Sequence, residues 1–547
     1  MYSHLFYKYV LVCLLLIWNS VSQAQDTTLV VKNQHSFSQI DAAIVNAAKK
    51  GKKEIRVEIC KGKYTFSDDE IQLKGIPQDV SVFLAAHGAK IYAESNKVDR
   101  KTMTTPNHIY YANSYKNVID FWSEVRQCNQ LIEVVDSVKN VCRLKLKDVH
   151  AQVKVGDFIQ ISQWYLTHRY EVKDSREGYV YFVADNLKRC ENGKSWNVNY
   201  DYVYGKEMPR YRIWKRVNNR NKLIEGKASR FINMQKIKMK SFRVEGLEFC
   251  GNASQSQSAL IQLMNVTAED IILKDCIFRS CHTQCLILGN TANVNISDCA
   301  FYNNRTTAIY SGGGCKNVHI THCFFENNST GWNNTFCINI KGKDFLVAHN
   351  KFKDFAYGAI AIGEHGNDKK VKVSGIIEEN EIYYTPRYYE NYKLHTLMDS
   401  GAIYLWTQND DVHICRNNIH DNIGMKDNRG IFCDDGASNF RITDNVILRV
   451  PNSYSIDSRK VKDFNPYGFK NNANNYIAYN IVDNGIRFMG YGSEERHCRK
   501  SKNYVLLPHG QKLNKEMKYE DLELNEKDEI VDNKWLKKIL INNKPQR

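Results

Sequence analysis

The chain has no CxxC pair of the metal-binding kind, no apolar run after the one near its amino terminus that is long enough to cross a membrane, and no recognisable nucleic-acid-binding module. The first absence argues against a structural zinc site: Cys281 and Cys285 are spaced four apart with no matching pair. The second excludes a later membrane-spanning helix. The third, with lysines dispersed along the chain, leaves nucleic acid poorly supported as a partner. What stands at the amino terminus is Lys8, an apolar run from Tyr9 to Trp18, then small residues ending in Ser22-Gln23-Ala24. That pattern reads as a signal peptide over residues 1–24, too short to span a bilayer. The expectation is an exported protein, periplasmic or extracellular. Cys13 lies inside the apolar run, not at its end, which speaks against a lipid anchor.

The formal charge is +16, so a polyanion is a natural partner. For an exported protein an acidic polysaccharide fits at least as well as nucleic acid, and a simply solvated lysine surface explains the same number. Hydrophobic residues make up 43% and aromatics 12%, enough for a sizeable core and enough rings to ask what they face.

The stretch from Asp399 to Asn445 superimposes on itself without a gap. Tyr404 falls beside Phe432, Trp406 beside Asp434, and Thr407 beside Asp435. Self-similarity at this period signals a solenoid whose repeats stack. A second series gives the stacking positions: Cys276, Cys299 and Cys323, then Asn350, Asn380, Asn417, Asn445 and Asn480. Asparagine amides bond up a stack, and a buried thiol fills the same slot as a small hydrophobe. These three cysteines are therefore expected as free thiols, while Cys128 and Cys142 flank a hairpin and are candidates to pair. The shortest separations, 23 and 24 residues, suit three short strands with their turns. Longer ones, Asn380 to Asn417 and Asn445 to Asn480, mark inserted loops, and insertions in solenoids collect on one face.

In chain order, residues 25–102 read as a cap and first coils, with an amphipathic helix from Phe37 to Ala48 started by Ser36 or Ser38. This segment, with its Gly62-Lys63-Tyr64 turn, resembles the entry coils of pectate-lyase-like β-helix proteins. Residues 103–235 lose the ladder and alternate like antiparallel strands, an inserted β-rich domain. Its many rings suit either sugar stacking or cross-strand pairing. Coils occupy 236–504, and 505–547 form a charged carboxy-terminal cap or tail.

Stacked strands stand about 4.8 Å apart, so equal positions form columns. Aligning GAIAIGE, GAIYLWT and GIFCDD places Glu364, Thr407 and Asp435 in one column, and Trp406 with Asp434 in its neighbour. Asp399 enters from the turn before its strand. Clustered carboxylates are what glycoside hydrolysis requires. Asp-Asp-Gly is also a common turn, and His413 and His420 sit in the repeat as structural residues. His395, in the insertion beside Asp399, is the better histidine for function.

DSGAIY at Asp399–Tyr404 and RGIFCDDGASNFRITDNVI at Arg429–Ile447 resemble glycoside hydrolase family 141 over roughly fifty residues. That resemblance implies an all-β, right-handed parallel β-helix acting on complex glycans, with catalytic aspartates at Asp399 and in the Asp434-Asp435 pair. Phe432-Cys433 and Ala437 depart from the family's usual residues. The expectation is a hydrolase with Asp399 and Asp435 as acid/base pair, and Asp434 and Glu364 as second choices. His395, Tyr404 and Trp406 are expected to contact sugar; Arg429 and Arg459 to bind an anionic substituent or orient carboxylates. No cofactor is needed. A uronate-cleaving polysaccharide lyase, with calcium held by the carboxylates, is the alternative, and a non-catalytic glycan-binding solenoid a third. No basic side chain is apparent in the carboxylate column.

Overall fold

The structure is a computed structural model. From residue 26 to 93 it describes all but 68, and then 95–96, 115–122, 132–136, 139, 141–145, 153–163, 166–183, 187–189, 196–198, 210–216 and 225–226. Beyond these it describes 230–252, 259–281, 283–304, 306–329, 335–355, 357–363, 373–385, 401–406, 408–421, 429–434, 437–450, 454–458, 474–488, 499–501 and 503–505. The expected signal peptide, Cys128 and residues 506–547 of the expected tail lie outside them.

From Ile232 onward each coil lays down three strands in turn, one in each of three parallel sheets of 13, 12 and 10 strands, here sheets A, B and C, while the first coils contribute only to A and B. Alternation drives them. In the coil after Cys276, Val294 and Ile296 face inward from sheet A, Phe301 from sheet B and Ile309 from sheet C, all buried. Phe249, Phe278, Phe301, Phe325 and Phe352 stack inside the coils with ring centroids 4.6–5.1 Å apart.

The corner between sheets A and B explains the ladder. Asp275, Asp298, His322, His349, Glu379, Arg416, Asp444 and Tyr479 each adopt φ of 52–59°, turning the chain just before the ladder residue. Asp and His tolerate that left-handed conformation better than most residues. The next side chain then points into the stack. Asn417 Nδ2 donates to Asn445 Oδ1 at 3.0 Å, and Asn445 Oδ1 also accepts the Asn417 backbone N–H at 3.0 Å. The series continues upward through Asn480 to Asn503 and begins at Cys323, whose N–H bonds Asn350 Oδ1 at 2.9 Å. Cys276, Cys299 and Cys323 are buried free thiols, as their place in the stack implies. A shorter ladder, Cys281–Asn304–Asn328, runs elsewhere in the same coils.

At the amino terminus the expected single helix is two, Gln34–Phe37 and Ile40–Lys49. Asn33, not a serine, caps the first: its Oδ1 accepts the Ser36 N–H at 2.9 Å, while Ser36 Oγ accepts the Asn33 N–H. Ile40, Ile44 and Ala48 of the second are buried, and Phe37 stacks on Tyr64 and Phe231, closing the first core layer. Asp41 Oδ1 fastens this helix to the coil by accepting the N–H groups of Gln72 and Leu73, both at 2.8 Å.

Between residues 115 and 216 the pairing turns antiparallel, in a seven-stranded sheet from Tyr115–Trp122 to Arg210–Arg216. There Tyr170 is buried and stacks on Phe182 at 5.0 Å, a packing role for that ring. No helix among the described residues is long and apolar enough to cross a membrane.

Candidate active site on sheet C

Sheet C holds the strands Ile309–Ser311, Phe336–Ile340, Gly358–Ile362, Gly401–Leu405, Arg429–Cys433 and Tyr454–Ser458 as neighbours. Their register aligns Tyr310, Asn339, Ala361, Tyr404, Phe432 and Asp457 in one column. Ile403 and Leu405 point into the core with Ile431 and Cys433, so this column lies on the outer face. The register is the one anticipated for Tyr404 with Phe432. Just past the strands, Trp406 N–H bonds Ile362 O at 3.2 Å and Asp434 N–H bonds Leu405 O at 2.7 Å, which keeps Trp406 and Asp434 in one column as well.

On this face the strands bring together two carboxylates. Asp434 is 5% exposed and accepts a hydrogen bond from the Tyr404 hydroxyl, one coil before it. Asp457 is fully buried and accepts from Arg429 Nε at 2.6 Å. Arg429 in turn lies over the Phe432 ring, its Cζ 4.0 Å from the centroid. The sequence places Asp457 in the coil after the aspartate pair, as part of the carboxylate cluster, but assigns it no role. Its signal was there, since it follows Arg429 at the coil spacing.

An aromatic cluster backs the carboxylates. Tyr404 meets Trp406 edge-on at 4.9 Å, Phe432 edge-on at 5.1 Å and Phe336 at 5.6 Å. Two glycines make the room: a Cβ on Gly358 would come within 2.7 Å of the Phe336 ring, and one on Gly401 within 2.9 Å of Phe432. Tyr404 is fully buried and Trp406 is 6% exposed, so both are packed residues here.

Of the expected site residues, Asp434, Tyr404, Trp406 and Arg429 are therefore gathered on one face. Asp399, Asp435, Glu364, His395 and Arg459 lie outside the described residues, as does Thr407. Among the described residues no group of three or more His, Cys, Asp or Glu side chains is placed to hold a metal ion.

A family model described as a right-handed β-helix region matches residues 259–504. The chain is a right-handed parallel β-helix protein. A solved structure titled glycoside hydrolase superimposes with a TM-score of 0.52 at 10% identity, covering 88% of this chain and 96% of its own. The A-module of a mannuronan C-5 epimerase from Azotobacter vinelandii gives 0.35 at 9% identity, covering 87% and 96%. A family 28 exopolygalacturonase from Yersinia enterocolitica gives 0.31 at 10%, covering 87% and 78%. No curated protein matches the sequence. The likeness to glycoside hydrolase family 141 rests on the Asp399–Tyr404 and Arg429–Ile447 stretches alone.

Proposed function

We propose that this β-helix protein is an exported glycoside hydrolase that cleaves a polysaccharide with carboxylates gathered on the outer face of sheet C. The observation that carries the reading is Asp434: a buried carboxylate held by a buried phenol, beside the buried Arg429–Asp457 pair. Burying carboxylates costs several kcal/mol each, of order, unless partners compensate, so two on one face of adjacent strands call for an explanation beyond packing. Glycoside hydrolysis supplies one. One carboxylic acid protonates the leaving oxygen while a second carboxylate activates water or attacks the anomeric carbon. The reading assigns these roles to Asp399 and Asp435, with Asp434 and Glu364 as the next carboxylates to test. Tyr404, Trp406 and Arg429 act as positioning residues, with His395 toward the sugar and Arg459 toward an anionic substituent. The solved glycoside hydrolase with the same fold supports the class of enzyme and not the substrate.

The test is a product assay on a panel of plant and host polysaccharides with wild type, Asp399→Asn, Asp434→Asn and Asp435→Asn. New reducing ends without unsaturated sugars, lost in the Asp399 and Asp435 variants of a still-folded protein, are the expected result. Unsaturated uronate products that vanish with chelator would replace the hydrolase by a lyase. Glycan binding unchanged in every variant, with no turnover, would leave a binding solenoid.

A further inference from the structure

The outer face of sheet B changes character along the stack. Register places Lys351, Glu381, Asn418, Val446 and Ile481 in one outward column, and Lys353, Tyr383, His420 and Leu448 in the other. Between the two columns Phe352, Ile382, Ile419, Ile447 and Val482 point into the core, as alternation along a strand requires. In the earlier coils the outward positions hold ionic side chains open to solvent: those of Lys351 and Glu381 are 45% and 39% exposed. Further along they turn aliphatic, and Val446, Leu448 and Ile481 are 0%, 1% and 4% exposed.

Outward residues with only sheet neighbours around them keep their tips in water, as Lys351 and Glu381 do. Val446, Leu448 and Ile481 are as closed from water as core residues, so a further layer lies on them. Among the described elements, the extensive contacts of the strands Asn418–His420, Val446–Leu448 and Ile481–Val482 are all with neighbours in sheet B. The cover therefore comes from residues outside the described ones. Tyr504–Val505, the last strand of sheet B, pairs with Ile481–Val482, so residues 506–547 leave the stack from the edge of the covered face itself. Residues 386–400 and 422–428 also leave sheet B, but each is tied at its far end to the next strand of sheet C, at Gly401 and Arg429. Within 506–547, Trp535, Leu536, Ile539 and Leu540 recur at helical spacing, with Lys534, Lys537 and Lys538 on the opposite side. A helix over residues 535–541 is about 10 Å long. The strip from Asn418 through Val446 to Ile481 crosses two strand spacings, also about 10 Å.

We propose that residues 535–541 dock as an amphipathic helix on the outer face of sheet B, with Trp535, Leu536, Ile539 and Leu540 on Val446, Leu448 and Ile481 and the lysines toward solvent. The tail is then a clasp along the side of the stack, where a cap would sit over its open end. The proposal stands apart from the chemistry assigned to sheet C, yet it bears on the same coils. In chain order Asn418–His420 follows Gly401–Leu405, Val446–Leu448 follows Arg429–Cys433, and Ile481–Val482 follows Tyr454–Ser458. Each strand under the helix thus belongs to a coil that carries part of the carboxylate and aromatic cluster, and the clasp holds those coils together from another side of the stack.

The experiment places a photoreactive benzophenone amino acid at position 535 of the full-length protein, in place of Trp535, and maps the cross-links formed on irradiation by peptide mass spectrometry. Intramolecular cross-links to the peptides that hold Val446–Leu448 or Ile481 are the expected result. Cross-links to another part of the chain, to a second copy, or to nothing overturn the docking. A cycle of thermal melts gives an independent reading. Val446→Ala/Leu448→Ala and Trp535→Ala/Ile539→Ala should each lower the melting temperature by a few degrees. The variant with all four substitutions should melt close to the worse of the two, because both halves of one contact are then gone. Losses that simply add would show that the two sets of residues do not touch, and would overturn the proposal as well. The cross-link is read with sheet B unaltered, so it decides even where the sheet variant fails to fold.

Discussion

Arg429 and Asp457 form an ion pair at 2.6 Å with the two side chains 2% and 0% exposed, one coil apart on the face that carries Asp434. Both charges have left water, and the ion pair compensates each for part of its lost hydration. Removing one partner takes that compensation from the other buried charge, which costs about 3–5 kcal/mol. Arg429→Met and Asp457→Leu should each lower the melting temperature sharply. The double variant Arg429→Met/Asp457→Leu should recover much of the loss, since a hydrophobic replacement of a whole buried pair is often tolerated. Thermal melts of the three variants check this, and a double variant as unstable as the sum of the singles rules out the coupling.

Tyr404 and Asp434 make the complementary prediction. Tyr404→Phe keeps the ring contacts with Trp406, Phe432 and Phe336 and removes only the hydroxyl donated to Asp434. A buried carboxylate oxygen losing its donor costs about 1–3 kcal/mol of stability. If Asp434 works within the catalytic cluster, kcat should fall at least tenfold with KM little changed, because the phenol positions the carboxylate and does not hold substrate. A variant with wild-type kcat would remove Asp434 from the mechanism.

Much of this fold could be read in the chain, for a physical reason. Ladder residues must satisfy one another, so Asn350, Asn380, Asn417, Asn445 and Asn480 repeat at equal positions, and the residue before each takes a left-handed turn. The site was legible where one coil copied the next, as Gly401–Leu405 copies Arg429–Cys433. It was illegible where a column held unlike residues. Asp457 shares its column with a phenylalanine, a tyrosine and an alanine, so no likeness gives it a role. The two-helix cap escaped for a different reason. Ser36 looks like a helix start, yet it serves as the third residue of a helix that Asn33 begins.

The asparagine ladder yields a prediction about stability. Asn417 donates to Ile377 O, Cys415 O and Asn445 Oδ1 and accepts from Asn380, all inside the core. Asn417→Ala leaves several of these groups unsatisfied, at about 1–3 kcal/mol for each. Cys323→Asn should be tolerated far better. Its N–H already bonds Asn350 Oδ1, and an amide there extends the ladder downward by one rung. The bond to Cys299, with burial, pushes the Cys276 thiol well above its ordinary pKa. The bond to Cys276 lowers Cys299, but its bond to Cys323 and its burial outweigh that and raise it well above the ordinary value too. Thiol reagents should therefore leave both unmodified in the folded protein at pH 8 and label them on denaturation. Rapid native labelling would contradict the buried stack.

His420 on sheet B supplies the pH dependence. Burial works against its charged form, but hydrogen bonds with Asp421, 2.7 Å from Nδ1, and Glu381, 3.5 Å from Nε2, carry its pKa above the ordinary 6.5. Tyr383 stacks on the ring at 5.0 Å and Arg449 bonds Asp421 from the next coil. The His420 bond, aided by Lys351 and opposed by burial, holds Glu381 down to about 2. The signs differ. His420, raised, stabilises the fold fully below pH 6.5 and loses that share as pH climbs through its folded value. Glu381, depressed, stabilises above pH 4.5 and loses its share as pH falls toward about 2. Melting temperatures measured across this range should show His420→Gln losing less stability than wild type above pH 6.5. Glu381→Gln should lose less below pH 4.5. A wild-type slope retained above neutrality in His420→Gln would mean that the histidine is not charged in the fold, and the pairing with Asp421 and Glu381 would then be a hydrogen bond between neutral imidazole and carboxylate.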